Sequence, residues 1–139
     1  MSAKQNKEIL HKAVDEYNKG NTEALYKIHA DNHVYHASGG LEITNKQAFI
    51  ELDKLVRITF PDQQVFIEDL IAEGEMVAWR EIFRATFKGA YQGIPPTGKK
   101  VELTAICIQR FDRGKIIESW VARDILDMLQ QMGITPQIG

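Results

Sequence analysis

"VELTAICIQRFDRGKIIESWVARDILDMLQQMG", residues 101–133, decides the fold. It reads as two strands joined by a tight turn and followed by a helix. Residues 101–111 alternate with period two: Val101, Leu103, Ala105 and Cys107 fall on one face, Ile106 and Ile108 on the other. "DRG" at 112–114 supplies a hairpin turn, and residues 115–123 form the returning strand. Asp124 then precedes an apolar-periodic run ended by Gly133, which predicts a short helix near 125–132. A strand that is apolar on both faces does not suit a sheet with one wet side. It implies helices or a cavity against one face and a second subunit against the other, so a homodimer is expected.

Upstream of this unit, strands are predicted near 64–72 and 76–88 with "EG" at 73–74 as their turn, and "GAYQGIPPTGKK" (89–100) is a loop. The first half is mostly helical. Ile9, Leu10, Ala13, Val14 and Tyr17 recur at helical spacing before Gly20, and a short helix starts near Asn21. "HVYHAS" alternates like a strand, with Val34 and His36 on one face and Tyr35 and Ala37 on the other. Thr44 and Gln47 fit a capping box for a third helix carrying Phe49, Leu52, Leu55 and Val56, closed by Pro61. The order α-α-β-α-β-β-β-β-α defines an α+β protein: a curved antiparallel sheet, three N-terminal helices packed on one side of it, and a short C-terminal helix.

The bulk numbers narrow the function. At 139 residues, residues 1–139 make one domain with a single core. Seventeen basic against nineteen acidic residues give a formal charge of −2, without a basic cluster, so nucleic acid is not an expected partner. No continuous apolar run suits a signal peptide or a membrane span, which predicts a cytoplasmic protein without membrane contact. The lone cysteine, Cys107, lies in an apolar run and reads as a small buried hydrophobe.

Asp124 admits two roles. Aspartate is a preferred N-cap and suits the helix dipole. Glu118, Trp120 and Asp124 are also spaced by even numbers, so a regular strand puts all three on one face. A carboxylate beside a large aromatic in a closed pocket is poorly solvated and becomes a better proton acceptor. His36 shares a face with Val34 and is expected to point inward, as a core histidine or as a partner of Asp124. The spacing His29-x3-His33-x2-His36 hints at metal, but His33 and His36 fall on opposite strand faces and no metal is expected. Trp120, Trp79, Phe49 and Tyr17 are core or pocket lining.

Three segments together resemble the SnoaL-like polyketide cyclases, within the broader nuclear-transport-factor-2-like and ketosteroid-isomerase-like cone fold. They are "DLIAEGEMVAWR" (69–80), "GAYQGIPPTGKKVEL" (89–103) and "GKIIESWVARDILDMLQQMG" (114–133), in that order along nearly the whole chain. The resemblance implies a sheet curved into a cone around an apolar pocket closed by the three N-terminal helices. It also implies cofactor-free ring closure of polyketide-like carbonyl compounds by intramolecular aldol chemistry, with the key acid/base at Asp124, four residues after Trp120. On that reading Asp124 moves the proton and His36, or an ordered water, steadies the enolate oxygen. Trp120, Glu118, Tyr17, Phe49 and Trp79 contact substrate, with Ile94 on a flap at the mouth. Two positions depart from the family pattern: Ala85-Thr86-Phe87 replaces a frequent G-T-H, and Glu81 stands where an aromatic residue is frequent. The rival reading is a non-catalytic protein that binds or carries a small apolar ligand in the same pocket.

Overall fold

The computed structural model describes residues 1–134, so residues 135–139 of the expected domain lie outside the described residues. Helix α1 (Ala3–Asn18) begins at a capping box: Ser2 Oγ accepts from the Gln5 amide and Gln5 Oε1 accepts from the Ser2 amide. Its buried stripe is Asn6, Leu10, Ala13, Val14 and Tyr17. Helix α2 (Thr22–Lys27) leads into strand β1 (His29–Ala37), which starts earlier than its period-two pattern suggests. After a 3-10 turn (Ser38–Gly40) comes a two-residue strand β2 (Glu42–Ile43) that the sequence did not signal. Helix α3 (Lys46–Thr59) is capped by Asn45, whose side chain accepts from the Ala48 amide at 2.8 Å. The cap is therefore one residue later than the Thr44 capping box predicts.

Strands β3 (Gln64–Glu73), β4 (Met76–Thr86), β5 (Lys100–Asp112) and β6 (Lys115–Arg123) form the hairpins read from sequence, and helix α4 (Ile125–Met132) closes the described chain. The six-stranded curved sheet has the order β2-β1-β6-β5-β4-β3. Every pair is antiparallel except β1 with β6, whose parallel pairing departs from the expected antiparallel sheet and is permitted by the long connection between them. The β5–β6 turn has Arg113 and Gly114 both at positive φ, the two-residue arrangement that matches strand twist.

Two irregularities shape the inner face. β3 is bulged between Ile67 and Asp69. In β6 the pairing jumps from Arg110↔Glu118 to Phe111↔Ile116, which leaves Ile117 as an extra, unpaired residue. The bulge reverses strand parity. Ile116 is buried, but beyond Ile117 the inward residues are Ser119, Val121 and Arg123, not Glu118, Trp120 and Ala122.

Two apolar clusters lie between sheet and helices. One gathers Leu10 and Val14 of α1 with Tyr35, Trp79, Cys107 and Phe111. The other gathers Phe60, Phe83, Phe87, Leu103, Met128 and Met132 around α4. The loop after β4 is stitched to the end of α3, because the amides of Lys88 and Gly89 both donate to Thr59 O, at 3.0 and 3.1 Å. A Cβ at Gly89 would lie 1.8 Å from Ile58 O. Gly89→Ala should therefore cost about 1–3 kcal/mol and lower the melting temperature by several degrees. An unchanged melting temperature would mean this contact opens without consequence.

Candidate active site

A cavity of about 600 Å³ lies between the inner sheet face and helices α1, α3 and α4. Its walls are apolar for most of their area, supplied by Leu10, Val14, Phe49, Trp79, Phe83 and Leu103 among others. Three polar centres interrupt them.

The first sits on the sheet. Glu81, Ala105 and Arg123 are cross-strand neighbours on β4, β5 and β6. The outer two are two strand spacings apart, roughly 9.5 Å. Ala105 has no bulk, so the long Glu81 and Arg123 side chains meet above it, with Arg123 Nη2 3.6 Å from Glu81 Oε2. Arg123 Nη1 also donates to the Tyr35 hydroxyl at 3.1 Å. Ser38 Oγ pins the Arg123 backbone by accepting from its amide at 2.8 Å. Burial works against the Arg123 charge, but Tyr35 and Glu81 outweigh it and hold the guanidinium above its ordinary pKa. Cys107 Sγ lies 3.7 Å from Glu81 Oε2, and burial, aided by Glu81, pushes the thiol up so that it remains a donor. Glu81 is only 3% exposed. Among the described residues its Oε2 carries these contacts, while Oε1 has no protein hydrogen bond.

The second centre is a knot between helices. Asp53 Oδ1 accepts from Tyr17 Oη at 2.6 Å, and Oδ2 accepts from Tyr26 Oη and from Arg57 Nε at 3.1 Å. Gln63 Nε2 donates to Tyr17 Oη at 2.5 Å, and the Arg57 guanidinium lies 4.4 Å from the Tyr17 ring centroid. Burial, then the Asp53 charge, pushes the Tyr17 phenol up; the same two influences with a hydrogen bond take Tyr26 to about 12. Both oxygens of Asp53 are occupied, so this carboxylate ties α1, α2 and α3 together.

The third is a buried chain at the deep end. Trp79 Nε1 donates to Gln109 Oε1 at 3.0 Å, Gln109 Nε2 donates to Ser119 Oγ at 3.1 Å, and Ser119 Oγ shares a 2.8 Å hydrogen bond with His33 Nε2. His29 stands beside His33, with ring centroids 4.7 Å apart.

Several expected site residues lie elsewhere. Trp120, Glu118 and His36 occupy the outer face of the sheet, because the Ile117 bulge turns β6 over and His36 is the direct β1 partner of Trp120. There His36 stacks on Trp120 with centroids 5.5 Å apart, and its ring nitrogens meet Glu118 at 2.8 Å and Glu42 at 3.3 Å. Asp124 is exposed and caps α4, accepting from the Asp127 amide at 2.9 Å, and it does not line the cavity. Ile94 is exposed on its loop, and Tyr91 and Gln92 reach the mouth instead. Tyr17, Phe49 and Trp79 do line the cavity. Glu81, Arg123, Tyr35, Asp53 and Ser119 were missed. Glu81 alone carried a sequence signal, since it shares parity with Trp79 and Phe83 on an apolar face.

The model of the SnoaL-like polyketide cyclase family matches residues 7–132, and the chain belongs to that family. AclR, "a putative hydroxylase" from Streptomyces galilaeus, is 25% identical with a TM-score of 0.86, covering 99% of this chain and 87% of its own. IdmH, "a putative polyketide cyclase" from Streptomyces antibioticus, is 27% identical with a TM-score of 0.82, covering 94% of this chain and 99% of its own. A protein from Acidithiobacillus ferrooxidans, also "a putative polyketide cyclase", is 32% identical with a TM-score of 0.78, covering 96% and 98%. No curated protein matches the chain. Among the described residues no helix is long and apolar enough to cross a membrane.

The buried histidines give the site a pH signature. Burial lowers the pKa of His29 to about 4 and that of His33 to about 3, so both are neutral in the folded protein. In the unfolded chain they return to about 6.5. Below that pH the unfolded state takes up protons the folded state refuses, so stability falls as pH falls from 6.5 towards the folded values. Each histidine should cost on the order of 2 kcal/mol by pH 5. Thermal melts from pH 7 to pH 5 should show this loss, with a shallower slope in His33→Gln. An equal slope in that variant would contradict the assignment.

Proposed function

We propose that this SnoaL-like protein is a cofactor-free cyclase or isomerase that acts by acid–base chemistry on an apolar, polyketide-like carbonyl compound held in the cavity. The observation that carries the reading is the Glu81–Arg123–Tyr35 group on an otherwise apolar wall. Arg123 offers a fixed cation for a carbonyl oxygen, and Glu81 Oε1 offers an uncommitted carboxylate oxygen beside it. Glu81 takes a proton from the carbon next to the carbonyl, and the electron pair left behind delocalises onto the oxygen facing Arg123 and Tyr35. The enolate carbon then bonds to a second carbonyl carbon of the same molecule, and the resulting alkoxide recovers the proton. The apolar walls strengthen the Arg123 contribution to the bound oxygen and hold the two reacting carbons together. Asp124, which the family resemblance favours, sits at an exposed cap, so the base role passes to Glu81.

Deuterium exchange tests this without knowledge of the natural substrate. Wild-type protein in D2O should speed exchange of the α-protons of an apolar aryl methyl ketone, followed by proton NMR. Glu81→Gln should lower that rate by ~10²–10⁴. Asp124→Asn keeps the cap and should leave it unchanged. Loss of exchange in Asp124→Asn with retention in Glu81→Gln would return the base role to Asp124. Ligand binding with no exchange in any form would make the protein a carrier.

We further propose that two copies of the chain pair across the outer sheet face. Ile106 and Ile108 are 49% and 41% exposed there, beside Ala122 and Trp120, an apolar strip that solvent leaves uncompensated. Sedimentation at micromolar concentration should give roughly twice the 15.8 kDa chain mass. Ile108→Lys should halve it. A wild-type monomer would remove the argument.

A further inference from the structure

Four large apolar side chains border the cavity while still facing solvent, and the proposed proton transfer uses none of them. Leu55 and Ile58 of α3 line the cavity and are 62% and 60% exposed. Leu41, just before β2, and Ile125, the first residue of α4, line it as well and are 45% and 37% exposed. A side chain that borders a cavity and remains open to solvent stands where that cavity meets the surface. Single exposed leucines and isoleucines are ordinary on a folded protein. Four of them, brought from three separate segments to the rim of one cavity, make an apolar collar of the kind that marks a binding surface.

The collar adjoins the group that holds the carbonyl oxygen. Ile125 follows Arg123 by two residues. On the other side Ser38, three residues before Leu41, is tied to the Arg123 backbone twice: its hydroxyl accepts from the Arg123 amide at 2.8 Å and donates to Arg123 O at 3.2 Å. Back along the inner face of β6, Val121 and Ser119 lead from Arg123 to the deep end of the cavity. A carbonyl oxygen at Arg123 is therefore flanked by enclosed cavity in one direction and by the collar in the other. Among the described lining residues the carboxylate and guanidinium groups are Asp53, Glu81 and Arg123, all assigned to the helix knot or the ion pair. None is left at the collar to receive an ionic head group.

We infer, on the basis of that carbonyl site, that the substrate is an internal ketone with uncharged apolar arms on both sides of the reacting carbonyl. One arm fills the deep end of the cavity. The other runs outward over Leu41, Leu55, Ile58 and Ile125, whose cavity-side surfaces it removes from water. The four residues set the length of arm the protein prefers and take no part in proton transfer.

A homologous series of phenyl alkyl ketones from butyrophenone to octanophenone tests this, each held below its aqueous solubility. Binding is read by quenching of tryptophan fluorescence, since Trp79 lines the cavity. Wild-type affinity should rise about two- to fourfold with each added methylene, the gain from half to full burial of a CH2 group. The double variant Leu55→Gln, Ile58→Gln places good helix formers at two exposed positions. It should bind butyrophenone as wild type does, because that chain ends before the collar, and this also shows that it folds. Its gain per methylene should vanish, leaving octanophenone bound about tenfold or more weaker than in wild type. A wild type that binds octanophenone no tighter than butyrophenone, or a variant with an unchanged gain, overturns the outward arm while leaving the carbonyl site intact. An unchanged gain in a variant whose sedimenting mass is half that of wild type would reassign the collar to contact between copies. If wild type binds no member of the series, the carbonyl site fails and this inference with it.

Discussion

One extra residue in one strand decides which side chains face the cavity. Ile117 is inserted into β6 opposite the Arg110–Phe111 step of β5, and the pairing on either side is offset by one. Because side chains alternate along a strand, the insertion exchanges the two faces of everything after it. Ser119, Val121 and Arg123 turn towards the helices, and Glu118, Trp120 and Ala122 turn away. A cationic side chain reaches the cavity wall only because of that exchange. The same exchange sends a tryptophan to the outer face, where it stacks on His36 beside the exposed isoleucines of β5.

Arg123 faces the cavity with its side chain about a third exposed, and Glu81, almost fully buried, is the charge that needs a partner there. Arg123 supplies it across the gap left by Ala105, and a larger residue at 105 would separate the two. The two cavity carboxylates thereby take different parts. Asp53 is saturated by Tyr17, Tyr26 and Arg57, and its effect is to hold three helices in register. Glu81 is held at one oxygen and open at the other. Burying an ion pair seldom adds net stability over an apolar replacement. The placement of Glu81 and Arg123 on an apolar wall therefore fits a site kept for chemistry better than one kept for folding.

The helices, the two long hairpins and the α+β class were legible because their signals are local. Ser2 and Gln5 meet within one turn, and Arg113-Gly114 makes its own hairpin. The polar centres were not legible for the opposite reason. Tyr17 meets Asp53, and His33 meets Ser119, across long stretches of chain that no spacing rule connects. The β6 parity was misread because Ile116 and Ile117 are both β-branched and look like two ordinary strand residues. In β1 the pairs Val34/His36 and Tyr35/Ala37 are equally mixed, so alternation could not say which faced inward. Glu81 was readable, and its oddity lay in a carboxylate sharing a face with Trp79 and Phe83.

We assign the proposed chemistry to the Glu81–Arg123–Tyr35 group inside the cavity and not to the carboxylate at the start of α4. A crystal structure with an apolar aryl ketone bound tests it most directly. The ligand should lie between α3 and the inner sheet face, its carbonyl oxygen within hydrogen-bond distance of Arg123 and its α-carbon against Glu81 Oε1. A ketone seated with its α-carbon against Asp124, or a cavity filled by its own side chains with the ligand outside it, would contradict the account.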